Sequence, residues 1–177
     1  GRFINPADYD DNSNILYSAS GEDSLKRTFG IDDADYFEIN SNSVKASHIR
    51  VSQFTDNTIF IGTGAGRLFK VTDANGFSPS ISDITGVDFP IGYISCIELG
   101  ASENQILVTF SNYGVISVWE TSDGGTTWTD KEGDLPDMPV RWALYNPDNR
   151  DEVILATEVG VWSTTDFNSA SPVWTAS

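Results

Sequence analysis

The feature that most constrains the fold of this chain is a repeat. The segments His48-Ile49-Arg50-Val51, Tyr93-Ile94-Ser95-Cys96 and Pro139-Val140-Arg141-Trp142 follow one another at spacings of 45 and 46 residues, and a step of 46 back from Ile49 reaches Gly1-Arg2-Phe3-Ile4. Four units with approximate boundaries 1–43, 44–88, 89–135 and 136–177 therefore fill the chain. A period of this length points to a stacked array, in which no unit buries its apolar surface without a neighbour. Within each unit the order of elements recurs. A polar turn (residues 5–13, 55–57, 100–104 and 146–151) follows the first segment and leads to a strongly apolar one: Ile15-Leu16-Tyr17, Ile59-Phe60-Ile61, Ile106-Leu107-Val108 and Val153-Ile154-Leu155. A third strand is expected at residues 25–29, 67–72, 115–120 and 161–163, and a weaker fourth at 36–39, 81–84, 128–131 and 173–175. Short β-branched and aromatic runs bounded by Gly, Asn, Asp, Ser and Pro read as strands and turns, so the class is all-β. Four antiparallel strands per unit describe a β-propeller blade. The central strands lack clean alternation, as expected where both sheet faces are covered.

Composition narrows the partners. Ten Lys and Arg against 26 Asp and Glu give a net charge of −16 and a pI near 4.1, which argues against nucleic acid and against an anionic membrane surface. No apolar run approaches the roughly 18 residues of a membrane-spanning helix. The single cysteine, Cys96, permits no disulfide within the chain and reads as a small buried hydrophobe; the single histidine, His48, has no Ser or Cys relay beside it. The opening residues show no initiator Met and no signal-peptide pattern, and the chain reads as a segment of something longer.

The third unit carries Thr121-Ser122-Asp123-Gly124-Gly125-Thr126-Thr127-Trp128 between its third and fourth strands. Thr72-Asp73-Ala74-Asn75-Gly76-Phe77-Ser78 and Thr164-Thr165-Asp166-Phe167-Asn168 are eroded copies in register with the repeat. This motif resembles the Asp box of the bacterial neuraminidase repeat (BNR) superfamily of propellers, which includes sialidases, xyloglucan-hydrolysing endoglucanases and sortilin-like proteins. Turn chemistry gives Thr121, Asp123, Gly125, Thr127 and Trp128 structural roles: a carboxylate accepts amides of its own turn, a glycine takes positive φ, and an indole packs between sheets. The resemblance implies a secreted or cell-surface bacterial protein, and blades beyond these four from a larger chain.

Candidate chemistry is set against that structural background. Arg2, Arg50 and Arg141 fall at matching places in the repeat alignment, so that three guanidiniums could meet at a channel mouth and hold a carboxylated or sulfated glycan. Asp88 and Asp137, in loops entering the third and fourth units, stand where the acid and base of a xyloglucanase-like site could lie, although loop solvation is the favoured role. Asp8, Asp10 and Asn12 imitate the oxygen spacing of a calcium loop but lack its Gly and its bidentate Glu, so a turn is favoured and calcium is the one cofactor left open. Trp119, Trp142 and Trp162 lie in strand patterns and are expected in the core. The reading is a non-catalytic extracellular scaffold for glycan or protein, with a fragment of a glycoside hydrolase as the alternative.

Overall fold

The computed structural model describes residues 5–30, 33–39 and 45–177. All regular elements among them are strands, arranged as four separate antiparallel meanders. The first comprises β1 (Ala7–Asp10), β2 (Ile15–Ala19), β3 (Ser24–Thr28) and β4 (Ala34–Glu38). The second comprises β5 (Ala46–Val51), β6 (Ile59–Thr63), β7 (Leu68–Thr72) and β8 (Ser80–Asp83). The third runs through β9 (Ile94–Leu99), β10 (Ile106–Phe110), β11 (Val118–Thr121) and β12 (Thr129–Asp130), and the fourth through β13 (Val140–Tyr145), β14 (Val153–Thr157), β15 (Gly160–Thr164) and β16 (Thr175–Ala176). The expected first strand at residues 1–4 lies outside the described residues. Residues 5–13, read as a turn, instead contain β1. Its acidic residues hide the strand from a reading based on hydropathy: Asp8 accepts the Val51 amide of the next sheet at 2.7 Å, and buried Asp10 accepts the Ser13 amide at 3.0 Å.

The sheets stack face to face in chain order, with β1 against β5, β5 against β9 and β9 against β13. Three apolar cores lie at the three seams. Tyr17, Leu25 and Phe37 meet Ile59, Ile61 and Phe69; Phe60 and Leu68 meet Ile94, Ile97, Ile106 and Val108; Leu107 and Val118 meet Val140, Val153 and Leu155. Strands β6 and β10 serve two seams at once and are buried at every position, whereas β14 alternates. Phe60, Leu107 and Ile154 occupy the same place, opposite Arg50, Glu98 and Leu144 of their inner strands. The first two are fully buried; Ile154, with no sheet beyond it in the structure, is 51% exposed. Fully burying such a side chain contributes about 1.5–3 kcal/mol, so each seam adds stability that an uncovered face lacks.

Polar groups lock each seam differently. At the first, Arg27 donates to the carbonyls of Ala74 (2.9 Å) and Gly76 while pairing with Asp35. At the second, Lys70 pairs with Glu103 and Arg50 with Glu98, both at 2.7 Å. At the third, Lys131 donates to the carbonyls of Phe167 and Ser169, each at 2.9 Å. Indole N–H groups tie back to the preceding sheet, from Trp128 to the Ile84 carbonyl at 3.0 Å and from Trp174 to the Lys131 carbonyl at 3.2 Å.

The hairpin between β11 and β12 is closed by its own side chains. Asp123 accepts the Thr121 hydroxyl at 2.7 Å, the Thr127 amide at 2.8 Å and the Thr127 hydroxyl at 2.7 Å. These bonds hold its carboxyl down at about 2. Asp166 repeats the arrangement in the fourth sheet, accepting the Thr164 hydroxyl and, across the insertion, the Val173 amide.

Candidate functional site

The inner strands β1, β5, β9 and β13 line an open groove of about 530 Å3, whose walls include Asp8, Ser47, His48, Arg50, Tyr93, Ser95, Ser111, Arg141 and Trp142. One feature repeats along it. Ser47, Ser95 and Arg141 are each the extra residue of a β-bulge, lying between the paired positions Ala46/His48, Ile94/Cys96 and Val140/Trp142. A bulge turns its side chain out of the ladder. Ser47 uses this to donate to the Ile94 carbonyl and Ser95 to donate to the Val140 carbonyl, both in the next sheet and both at 2.6 Å.

The bulges correct the arginine alignment. Arg141 matches Ser95 and Ser47, not Arg50; the second unit's apolar segment is displaced by three residues in the sequence alignment. Arg50 instead sits toward the far end of β5, opposite Phe60, and is committed to Glu98. Arg2 lies outside the described residues. The triad of converging guanidiniums is therefore not formed by Arg50 and Arg141, although both line the groove. Arg141 is the accessible one, more than half exposed and 3.6 Å from Glu158.

Trp142 departs from the core position expected of it. It is 41% exposed and packs edge-on against His48, with ring centroids 5.2 Å apart. Trp119 is buried as expected. Burial, with Arg50 adding to it, pushes the His48 imidazole down to about 4, so this ring is neutral at ordinary pH and is no proton donor there. Cys96 is buried, and burial raises its thiol to about 12. Arg141 was singled out from the sequence, whereas Tyr93, Ser111 and the bulge serine Ser47 were not, because a bulge leaves no composition signal.

The remaining candidates disperse. Asp88 and Asp137 are exposed on separate connections and neither lines the groove; Asp137 accepts the Gly114 amide at 2.7 Å. Asp8 and Asp10 cap backbone amides as described, and Asn12 donates to Asp56 at 3.0 Å. Among the described residues, no three His, Cys, Asp or Glu side chains gather where they could hold a metal ion.

Beside Asp137, Glu132 accepts the Ser117 amide at 2.5 Å and thereby continues the pairing of β11 past the end of β12. Burial pushes its carboxyl up to about 7, against the Ser117 amide and with help from Asp130 and Asp137. The folded chain thus keeps this proton between its ordinary value of 4.5 and about 7, where the unfolded chain has lost it. Its contribution to stability must fall as pH rises through that window and stay level above it. Glu132→Gln is expected to remove the slope, so that the variant gains on the parent in Tm from pH 5 to 8; a constant difference would show that Glu132 does not titrate there.

Four stacked four-stranded meanders around a shared inner groove define a partial β-propeller of about four blades. Solved structures agree with that fold. The GH74 enzyme of Niastella koreensis superimposes with a TM-score of 0.70 at 18% identity, over 95% of this chain and 30% of that one. The GH74 xyloglucanase from Xanthomonas campestris gives 0.70 at 14% identity, over 95% and 29%. The WD40 β-propeller domain of Doa1 gives 0.68 at 12% identity, over 98% and 54%. The chain thus spans about a third of the GH74 enzymes and about half of the WD40 chain. No protein-family model matches the sequence, and no curated protein is a significant match.

Proposed function

We propose that this chain is a non-catalytic segment of a larger extracellular propeller that binds glycan or protein at its inner groove. The composition of the groove carries the reading. Arg141, Tyr93 and Trp142 present a cation and two half-exposed rings, while its one carboxylate, Asp8, is occupied by the Val51 amide. Glycoside hydrolysis ordinarily needs two carboxylates flanking one bond, and the groove does not supply them among the described residues. The open face around Ile154 and Leu144 supports further blades as partners, and the acidic composition with one cysteine suits an extracellular setting. The Asp-box hydrogen bonds support kinship with BNR and sortilin-like propellers.

Titration with an acidic oligosaccharide tests the groove. Arg141→Ala is expected to weaken binding by about tenfold, equivalent to about 1.4 kcal/mol, with Tm unchanged. Arg50→Ala is expected to lower Tm instead, since it removes the partner of buried Glu98. Unaltered affinity in Arg141→Ala would sink the groove as a binding site. The second reading, a fragment of a glycoside hydrolase, is favoured by the likeness to the two GH74 enzymes. Assay of the full natural polypeptide on xyloglucan oligosaccharides decides it: turnover abolished by Asp88→Ala or Asp137→Ala establishes the enzyme, and absence of turnover removes it.

A further inference from the structure

We propose that the loop face at the mouth of the groove is a docking surface for a cationic polypeptide segment that carries apolar side chains. The proposal rests on the binding-scaffold reading and names the partner of its outer rim.

Antiparallel order puts the turns between second and third strands, and the connections between blades, at one end of the stack. The hairpins that carry the Asp box lie at the other. At the first end, Val87 and Ile91 on the connection into β9 are 98% and 91% exposed, and Tyr113 and Val159 on two turns are largely exposed as well. Hydrogen bonds join the end of the connection into β9 to the two turns and to the loop of Asp137. Tyr93 donates its amide to Asn112, which neighbours Tyr113, at 2.6 Å; Tyr113 donates its hydroxyl to Glu158 at 3.2 Å; Gly114 donates its amide to Asp137. Clustered apolar side chains on a soluble surface mark interaction sites more often than scattered ones do.

Two properties choose the occupant. Branched aliphatic tips such as Val87, Ile91 and Val159 offer no flat ring for a sugar to stack on, and they fit apolar side chains. The exposed carboxylates on these loops are Asp88, Asp137 and Glu158, and the exposed cations at this end are themselves paired, Arg141 at 3.6 Å from Glu158 and Lys45 at 3.7 Å from Glu22. On a chain of net charge −16, such a rim attracts cationic partners and speeds their encounter.

The test is anisotropy titration of a labelled amphipathic Lys-Leu peptide at about 0.15 M ionic strength, where the Debye length is about 8 Å. A Glu-Leu peptide and oligolysine serve as comparison probes. The Lys-Leu peptide is expected to bind, oligolysine more weakly and the Glu-Leu peptide not at all. Ile91→Ser with Val159→Ser, and separately Asp88→Asn with Glu158→Gln, should each weaken the Lys-Leu peptide by about tenfold or more. Phe77→Ser, which removes a fully exposed ring at the opposite end, should change nothing. Val87→Ser is the second variant should either pair lower Tm. Absence of binding, or equal binding by mouth variants and Phe77→Ser, overturns the proposal. Because Arg141-dependent oligosaccharide binding is read separately, its survival in that case leaves the scaffold reading standing, and its loss removes that reading on its own account.

Discussion

Leu107→Ala is expected to lower the stability of this chain by about 3 kcal/mol, within the range of about 2–5 for a buried leucine, whereas Ile154→Ala should cost less than about 1 kcal/mol. The two residues hold the same position in successive blades, opposite Glu98 and Leu144. Only their surroundings differ. Leu107 is enclosed by the fourth blade and shares a core with Val118, Val140 and Ala143, while Ile154 faces outward from the last blade. Denaturant midpoints of the two variants, read with their slopes, give the comparison directly. Equal losses would mean that the outer face of the fourth blade is covered in solution, by a second copy or by residues outside those described. The same pair measured in a longer natural polypeptide should converge, since a following blade would bury Ile154 as the fourth buries Leu107.

The second large effect is expected at Gly66. This residue has φ +79° in the turn between β6 and β7, and a Cβ placed on it would stand 2.2 Å from the Pro90 carbonyl oxygen. Gly114 has φ +72° in the corresponding turn of the third blade, and a Cβ placed there would meet nothing within 4 Å. Gly114→Ala therefore meets only the left-handed backbone cost, about 1–2 kcal/mol. Gly66→Ala meets that cost and must also displace the backbone of the connection entering the third blade, a further loss of about 1–3 kcal/mol. Thermal melts of the two variants separate the terms. Similar shifts in Tm would show that the connection yields freely, and that the second and third blades are not fastened through Pro90.

Most of the architecture was legible because each blade repeats the same second strand. Ile15, Ile59, Ile106 and Val153 begin β2, β6, β10 and β14 in turn, although their equally apolar runs did not distinguish β6 and β10, covered on both faces, from β2 and β14, covered on one. The turn chemistry of Thr121 and Asp123 was equally readable, since every bond it makes lies within a few residues. The inner strands were less transparent. In β1 the residues on the face toward the next blade are aspartates that each accept an amide outside their own strand, so alternation of hydropathy fails there. The bulge common to β5, β9 and β13 shows that the tetrads 93–96 and 139–142 are structural equivalents, whereas 48–51 lies three residues further along its strand. That is why Arg50 and Arg141 share a level in the sequence alignment and not in the fold. Trp142 was misplaced for a related reason: its strand pattern is that of the interior, and exposure comes only from its place in the last blade and beside the groove.

The polar fastenings of the three seams carry one more consequence. The first and third use the same kind of acceptor, Arg27 on the hairpin carbonyls of Ala74 and Gly76 and Lys131 on those of Phe167 and Ser169, whereas the second pairs Lys70 with Glu103. A cation left at a seam without its acceptors would be held away from water, an error that costs about 3–5 kcal/mol when a buried pair is broken. The apolar surfaces make the blades adhesive, and the fastenings add a charge condition to that adhesion. A chain emerging blade by blade thus carries part of its assembly order in its cations, with Lys70 matched to a carboxylate of the blade that follows it.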